Sequence, residues 1–439
     1  MIIDLLDKNE IIKNPVFRKY SAIYTSIYRQ FLEDIANMGI VFSEGSSDEN
    51  LKLRKKLVDT SVKFRNNEHS LYLNTISPSC LACQKGKNSM TFFISLRCTR
   101  NCYFCFNENQ EEYEYYLKHT RDCSQELQDM YRNSLQLDHI ALTGGEPLLH
   151  KEETIEFFRL AKNLYPKAET RLYTCGDLIN SELLQDLADA SLDEIRFSIK
   201  TDDSNEEIAQ QLSRIELVIS YIPRVMVEMP VIPGSLEQMK WLLQELELIG
   251  IYGINLLEFC FPFHNIDIFN EKGFKIKKQP YKVLYNYWYA GGLPVDGSEQ
   301  ECLQLLEYSL EQGFKMGVHY CSLENKHTGQ IYQQNFGHKV GKFMVFSHRD
   351  YFYKTAKVFG EDVAEVLHIF KGKGYKAYRL NQVYDFLEFH PEKISWLKDL
   401  DIEIGLASHV MEEREGSLYQ REVAIDFTTP RIFDYTKDI

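Results

Sequence analysis

The chain has 439 residues, 44% of them apolar, which suits one large globular domain or two to three smaller ones. The net charge of −14 comes from 50 Lys and Arg against 64 Asp and Glu. This acidic balance disfavours a large nucleic-acid interface, which needs clustered positive charge. No run of about 18 apolar residues is present, so no membrane-spanning helix is expected.

The N-terminal segment Met1-Ile2-Ile3-Asp4 lacks the basic and apolar regions of a signal peptide. Ten cysteines without such a signal predict a reducing, cytoplasmic setting rather than disulfides. Residues 1–76 are predicted to form a helical extension, because apolar residues recur there at a spacing of three to four.

Cys80 and Cys83 form a C-x2-C pair in a segment that reads S-P-S-C-L-A-C-Q-K-G. Such a pair is typical of a metal site, and two ordinary thiols are the alternative. Cys321 is the preferred third ligand, because it ends an apolar strand-like run and opens a polar loop. We predict that these three cysteines hold an auxiliary iron–sulfur cluster, with zinc as the alternative.

The segment from Thr91 to Asn107 reads T-F-F-I-S-L-R-C-T-R-N-C-Y-F-C-F-N. Cys98, Cys102 and Cys105 follow an apolar run of strand length, so they are predicted to lie on the loop that leaves a buried strand. Three thiolates fill three corners of a 4Fe–4S cluster, and the missing fourth leaves one iron open. Zinc fits this spacing less well, and inert buried thiols are disfavoured by the polar loop.

A second motif, H-I-A-L-T-G-G-E-P-L-L, again places a loop after an apolar strand. The paired glycines Gly144 and Gly145 allow a backbone to approach a ligand closely. Glu146 adds a carboxylate suited to an ammonium group. The alternative is a plain strand-to-helix turn capped by Glu146. The motif is weak alone and strong when it follows the three-cysteine loop by one β/α unit.

With both motifs present, the sequence resembles the radical S-adenosylmethionine (SAM) superfamily over about residues 90–260. The resemblance implies that Cys98, Cys102 and Cys105 bind a 4Fe–4S cluster. It also implies that Phe104, the aromatic residue before the third cysteine, contacts the adenine of SAM.

The same resemblance implies that Gly144, Gly145 and Glu146 bind the methionyl amino group of SAM. In such enzymes the amino and carboxylate groups of SAM chelate the open iron, and the reduced cluster cleaves the S–C5′ bond. The resulting 5′-deoxyadenosyl radical abstracts a hydrogen atom from the substrate. An electron donor such as flavodoxin or ferredoxin is therefore expected.

Residues 77–263 are predicted to alternate between strands and helices. The predicted strands cover residues 92–96, 139–143, 171–174, 194–199, 224–229 and 254–259. Such alternation implies a parallel sheet with right-handed crossovers, and six units predict an α/β fold, a partial (β/α)6 TIM-like barrel. Chemistry in such barrels sits at the C-terminal ends of the strands, where both motifs fall.

Polar residues at the other strand ends are candidates for further SAM contacts. Thr174 ends the third strand, and Ser198 is predicted to meet the ribose or the carboxylate. Lys200 would pair with the carboxylate, although superfamily members often carry Asp there. Glu228 would hold ribose hydroxyls, and Glu258 is a weaker candidate for substrate contact. For each of the SAM candidates the alternative is a surface residue at the start of a loop.

Two further segments complete the chain. Residues 264–340 are predicted to be an aromatic-rich connection that covers the open barrel, as a lid or as packing alone, and that supplies Cys321. Residues 341–439 are predicted to be an α+β accessory module, with strands at 342–347, 403–407 and 421–427 and helices at 363–371 and 383–389.

Together these patterns predict a cytoplasmic, oxygen-sensitive radical SAM enzyme that abstracts hydrogen from an organic substrate, with an amino acid or peptide favoured. A small-molecule mutase or dehydrogenase and a glycyl-radical activase of the same superfamily are alternatives. Outside the superfamily, the alternative is a non-catalytic zinc-binding interaction protein. No catalytic side chain is identified by the motifs.

Overall fold

The structure is a computed structural model that describes residues 2–4, 9–45, 47–285 and 291–439. The chain folds into two compact units. The barrel unit comprises residues 41–280 and 288–326, and the accessory unit comprises residues 1–40, 281–287 and 327–439. This division is coarser than the four predicted segments, whose boundaries stay predictions. Among the described residues, no helix combines the length and apolarity needed to cross a bilayer.

A nine-stranded sheet forms the barrel unit. Its strands lie side by side in the order β1 (Lys63–Arg65), β2 (Ser70–Leu73), β11 (Gly317–Cys321), β8 (Gly253–Glu258), β7 (Arg224–Val231), β6 (Glu194–Phe197), β5 (Glu169–Thr174), β4 (His139–Thr143) and β3 (Ser89–Phe93). The seven strands from β3 to β11 pair in parallel, and β2 joins β11 in antiparallel fashion. A separate two-stranded pair consists of β9 (Cys260–Phe261) and β10 (Leu293–Pro294).

Helices connect the parallel strands of this sheet. The helices of the barrel unit are α2 (Ser47–Val58), α3 (Pro78–Cys83), α4 (Tyr113–Tyr116), α5 (Cys123–Arg132), α6 (Lys151–Leu164), α7 (Ser181–Asp189), α8 (Asn205–Val218), α9 (Leu236–Ile249), α10 (Ile266–Glu271) and α11 (Ser298–Glu311). Successive parallel strands are neighbours, so right-handed crossovers put the helices between them on one face and curl the sheet. This architecture confirms the predicted partial barrel.

The two faces of the sheet differ in polarity because side chains alternate along each strand. Ile195 of β6, Ile254 of β8 and Val318 of β11 belong to the large apolar core of this unit. Their neighbours Arg196 and Asn255 occupy alternate positions, and both are almost fully buried. The concave face of the sheet is therefore polar.

Two features of this sheet differ from the sequence-based expectation. The predicted helical extension contributes β1 and β2, and the sheet has a seventh parallel strand, β11, in addition to the six predicted. Strands β1 and β2 are only three and four residues long. They pair with each other, and the second partner of β2, strand β11, lies far away in sequence. Local periodicity therefore carried too little signal to identify them.

The accessory unit contains an antiparallel sheet in the order β14 (Tyr378–Asn381), β15 (Phe386–Phe389), β13 (Tyr353–Phe359), β16 (Ile404–Arg414) and β17 (Ser417–Thr428), with β12 (Val345–Phe346) paired to β13. Its helices are α1 (Pro15–Asn37), α13 (Asp362–Gly372) and α14 (Tyr435–Asp438), and α12 (Leu323–Asn335) begins in the barrel unit. The helix predicted over residues 383–389 is wrong, because Phe386–Phe389 pairs with two neighbouring strands.

Candidate cluster and cofactor site

The three-cysteine loop leaves β3 and is held at several points. Cys98 is exposed, whereas Cys102 and Cys105 are half-buried. The backbone N–H of Cys105 donates to the carbonyl of Cys102 at 3.0 Å, which forms a tight turn between two thiols. The side chain of Asn107 then donates through Nδ2 to the carbonyl of Gly144 at 2.6 Å. The cysteine loop is thus fastened to the Gly-Gly-Glu turn.

The thiols of this loop differ in acidity. A hydrogen bond from the Cys175 thiol is the main cause that lowers the pKa of Cys98 to about 7. Burial, opposed by the nearby charge of Lys200, raises the pKa of Cys102 to about 11, and burial also raises the pKa of Cys105. Cys98 is therefore the thiol that ionises most readily at neutral pH, and ionised thiols are the form that binds metal.

A compact set of potential metal-binding side chains lies in the accessory unit. The donor atoms of Glu388, His409 and Glu422 all lie within 4.8 Å of one another. The binding of a cluster by Cys98, Cys102 and Cys105 stays a prediction.

The Gly-Gly-Glu turn packs directly on the start of the cysteine loop. The N–H of Gly145 donates to the carbonyl of Ser95 at 3.1 Å, and the N–H of Glu146 donates to the carbonyl of Arg97 at 2.7 Å. A Cβ atom on Gly145 would lie 1.8 Å from the Arg97 carbonyl oxygen. Glycine is therefore required here because the two loops touch backbone to backbone.

The carboxylate of Glu146 is turned inward, with the residue 1% exposed. It accepts hydrogen bonds from the Thr174 hydroxyl at 2.8 and 2.9 Å, from the Cys175 N–H and thiol at 2.7 Å each, and from the Leu148 N–H at 3.0 Å. In this arrangement Glu146 joins the ends of β4 and β5. The contact with an ammonium group that the sequence suggested for Glu146 stays a prediction.

Phe104 belongs to an aromatic cluster beside the cysteine loop. Its ring centroid lies 5.0 Å from Tyr103 and 5.6 Å from Phe259, and Tyr103 lies 5.6 Å from Phe269. The aromatic-rich connection thus packs against the loop at Phe269, and residues 286–290 of that connection lie outside the described residues. The adenine contact of Phe104 stays a prediction.

Three of the four predicted strand-end residues lie near the cysteine loop or the turn. Thr174 is buried against Glu146, and Ser198 is exposed, with its N–H donating to the Thr174 carbonyl at 3.1 Å. The Lys200 ammonium lies 3.4 Å from the Asp203 carboxylate, which also receives Arg100 of the cysteine loop at 2.7 Å. Their contacts with SAM stay predictions.

Glu228 lies on the concave face of the sheet in a buried polar network. Its carboxylate accepts from Nη1 of Arg196 and from Nδ2 of Asn255 at 2.5 Å. Nε of Arg196 in turn donates to Glu194 at 2.6 Å. Burial opposes ionisation of Glu228, but the Arg196 guanidinium holds its pKa below the usual value. The ribose contact proposed for Glu228 from sequence stays a prediction.

The structure brings Cys80, Cys83 and Cys321 within electrostatic range of one another. Burial raises the pKa of Cys321 to about 12, opposed by Lys326 and reinforced by the charges of Cys83 and Cys80. Cys83 is exposed, yet burial also raises its pKa.

Several buried donors are aimed at these sulfurs, and the sequence did not identify them. The Cys80 sulfur accepts from Nη2 of Arg196 at 3.3 Å and from Nδ2 of Asn255 at 3.2 Å. The Cys321 sulfur accepts from Nδ2 of Asn325 at 3.2 Å. A signal was available for Arg196 and Asn255, because each is a polar residue flanked on both sides by apolar residues of its strand.

Cys175 is a further residue that sequence left unassigned. Its thiol lies 3.0 Å from the Thr99 hydroxyl and 2.7 Å from Glu146, so it connects the cysteine loop with the turn.

Residues 92–246 match the family model described as the radical SAM superfamily. Together with the parallel sheet and the adjoining cysteine and glycine loops, this match assigns a radical SAM domain to that part of the chain. The class implies a 4Fe–4S cluster and SAM as cofactors.

Comparisons with individual proteins add relatives at low identity. A Methanocaldococcus jannaschii protein that carries the name of a glycyl-radical enzyme activating enzyme is 28% identical over 204 residues, which is 45% of this chain and 54% of that protein. The match thus spans about half the length of that relative.

Solved structures that align with part of the chain include Streptococcus suis SuiB. SuiB bound to S-adenosylmethionine aligns with a TM-score of 0.40 at 16% identity, covering 54% of this chain and 50% of that one. SuiB bound to the precursor peptide SuiA aligns with a TM-score of 0.39 at 13% identity, covering 72% and 67%.

Proposed function

We propose that Cys98, Cys102 and Cys105, named here the first centre, bind the 4Fe–4S cluster, and that SAM lies against the turn at Gly144 and Gly145. When bound, the cluster and SAM supply a 5′-deoxyadenosyl radical that abstracts hydrogen from the substrate. The observation that supports this assignment is the direct contact between the two motif loops.

The residues around the first centre have distinct roles in this proposal. The thiolates hold three irons, and the carbonyls of the glycine turn accept from the ammonium group of SAM. Glu146 fixes the shape of the turn, because its carboxylate is engaged by both strand ends. Lys200 supplies positive charge for the carboxylate of SAM, and Phe104 supplies an apolar surface for the adenine.

We further propose that Cys80, Cys83 and Cys321, named here the second centre, bind an auxiliary iron–sulfur cluster, with zinc as the alternative. Three N–H donors on buried side chains point at two of these sulfurs. A neutral thiol is a weak acceptor, and buried donors are normally paired with good acceptors. Metal-bound thiolates supply such acceptors, which supports the second centre.

We infer an amino acid or peptide as the substrate, with flavodoxin or ferredoxin as electron donor. The glycyl-radical activase is the second candidate, and the Methanocaldococcus jannaschii relative, 28% identical, favours it. Both candidates begin with hydrogen abstraction from an amino-acid residue. They differ in whether the abstracted position is a glycine in a folded partner enzyme or a position in a free peptide.

Anaerobic reconstitution with iron and sulfide tests the first centre. The full chain is expected to turn brown and, with dithionite, to form 5′-deoxyadenosine from SAM. The variant Cys98→Ala/Cys102→Ala/Cys105→Ala is expected to lose this activity. A colourless zinc protein without turnover would refute the enzyme assignment. Deuterium transfer into 5′-deoxyadenosine from Cα-labelled glycine in a peptide or in a partner enzyme separates the two substrate candidates.

Iron and sulfide analysis of the same triple variant tests the second centre. We expect residual iron and sulfide in this variant. Both should disappear when Cys80, Cys83 and Cys321 are also replaced by alanine. Absence of any metal from the triple variant would remove the second centre.

A further inference from the structure

The two sets of cysteines differ in the hydrogen bonds that their sulfurs receive. Cys98 of the first centre accepts from the backbone N–H of Arg100 at 3.4 Å, and backbone N–H groups of Thr99 and Asn107 also bond Cys98 and Cys105. The second centre instead receives three side-chain N–H donors, at 3.2 to 3.3 Å. These side-chain donors belong to the protein itself and are present without any metal.

A relay of buried side chains orients the donor Asn255. The Ser70 hydroxyl lies 2.8 Å from Nε2 of His319, and Nδ1 of His319 lies 2.9 Å from the amide oxygen of Asn255. With Ser70 donating to Nε2, the proton of His319 is on Nδ1 and is given to that oxygen. The NH2 group of Asn255 is thereby directed at Glu228 and at the Cys80 sulfur. Asn255 is 1% exposed, so water does not replace these contacts.

Asn325 is oriented in the same manner. Nδ2 of Asn66 donates to the amide oxygen of Asn325 at 2.8 Å, and this leaves the Asn325 NH2 group for the Cys321 sulfur. The N–H of Asn325 also bonds the Ser322 hydroxyl at 3.0 Å, which fixes the residue beside its target. Two separate asparagines are therefore each fixed by a dedicated partner so that an N–H faces a cysteine sulfur.

Arg196 supplies the third and strongest donor. Its charge is balanced by Glu194 and Glu228, so its burial does not require an anion from elsewhere. Its Nη2 group still faces Ser77, Ser79 and Cys80. An N–H on a charged group makes a stronger hydrogen bond than a neutral one.

We propose that Arg196, Asn255 and Asn325 are positioning residues that hold the sulfurs of the second centre and raise its reduction potential. N–H groups directed at ligand sulfurs stabilise the form that carries one more electron, and hydrogen bonds to sulfur are an established control on cluster potential. The inference rests on the proposed binding of a cluster by the second centre.

The reduction potential of the second centre is measured in the full chain with the first centre removed. Variant A, Cys98→Ala/Cys102→Ala/Cys105→Ala, keeps only the second centre. Redox titration of the anaerobically reconstituted variant A, followed by electron paramagnetic resonance, gives the midpoint potential of that centre.

The contribution of the donors is measured by replacing them in variant A. Asn325→Leu and Asn255→Leu keep the approximate shape of the side chain and remove the N–H, so each is expected to shift the midpoint to a more negative value at unchanged iron content. Asn325→Gln, which keeps an amide, is expected to restore part of the shift.

The matched control is Asn335→Leu, because Asn335 is a fully buried asparagine of the accessory unit that donates to the Tyr351 carbonyl at 2.8 Å. Its replacement is expected to leave the midpoint unchanged. Unchanged midpoints in both Asn255→Leu and Asn325→Leu, with iron retained, would overturn the inference. If these variants lose iron while Asn335→Leu retains it, the donors are required to hold the sulfurs, as the inference states. A variant A that never binds iron refutes the second centre itself.

Discussion

The sulfur of Cys175 lies 2.7 Å from the carboxylate of Glu146, inside the junction of β4 and β5. The same side chain is the main cause that lowers the pKa of Cys98. One buried cysteine thus connects the glycine turn with the cysteine loop. A substitution in either motif is therefore expected to change the structure of the other.

Replacement of Glu146 by alanine is expected to destabilise the barrel unit and to weaken SAM binding. The change leaves the buried donors Thr174, Cys175 and Leu148 without an acceptor, at a cost of about 1–3 kcal/mol for each group. Urea unfolding and equilibrium dialysis with SAM measure the two effects. The control is Glu152→Ala on the exposed face of α6, which should change neither. Wild-type stability of Glu146→Ala would contradict the role assigned to this carboxylate.

Gly145→Ala is expected to displace the cysteine loop, because the added methyl group would lie 1.8 Å from the backbone oxygen of Arg97. Iron content after reconstitution and 5′-deoxyadenosine formation should both fall at least tenfold. Gly372→Ala is the matched control, since nothing lies within 4 Å of a Cβ atom there. Equal iron content in the two variants would show that the contact between the loops tolerates movement.

Lys357 lies between two carboxylates in the accessory unit and is 1% exposed. Its ammonium group contacts Glu422, lies 3.8 Å from Glu388 and donates to the Tyr20 hydroxyl oxygen at 3.0 Å. Lys357→Met is expected to destabilise this unit by about 3–5 kcal/mol, because it leaves buried negative charge without compensation. Chemical denaturation measures the loss, with the exposed Lys371→Met as control. A loss below about 1 kcal/mol, the value typical of surface pairs, would contradict it.

The stability of the accessory unit is expected to fall as the pH falls from about 6.5 towards 3. Burial lowers the pKa of His409 to about 3 in the folded chain, although Glu388 opposes this shift. An unfolded histidine has a pKa of about 6.5, so between these values the unfolded chain binds a proton that the folded chain does not, and protonation favours unfolding. Free energies of unfolding across this range measure the effect.

The matched comparison for this prediction is His409→Gln, which keeps a hydrogen-bonding side chain beside Thr355 and Gln420. The difference in stability between the wild type and His409→Gln should shift against the wild type as the pH falls. A difference that is constant with pH would show that His409 is not buried in the neutral form.

Local sequence was sufficient for the elements that depend on neighbouring residues. The three cysteines and the Gly-Gly-Glu turn each lie within one short segment, and the strand–helix alternation between residues 92 and 259 follows from local periodicity. The predicted helix at residues 383–389 shows the limit of this approach. Its apolar spacing suits helix and strand alike, and pairing with strands elsewhere in the chain decided between them.

The amino-acid sequence by itself determined that thiols and a glycine turn follow successive strands, and so the class of chemistry. Only the tertiary structure decided that Glu146 faces inward and that Arg196 and Asn255 meet Cys80. Arg196 and Cys80 are 116 residues apart, and Asn255 and Cys80 are 175 apart. Such contacts form because the curled sheet brings alternate side chains of distant strands to one polar interior, and no local pattern records which of them will meet.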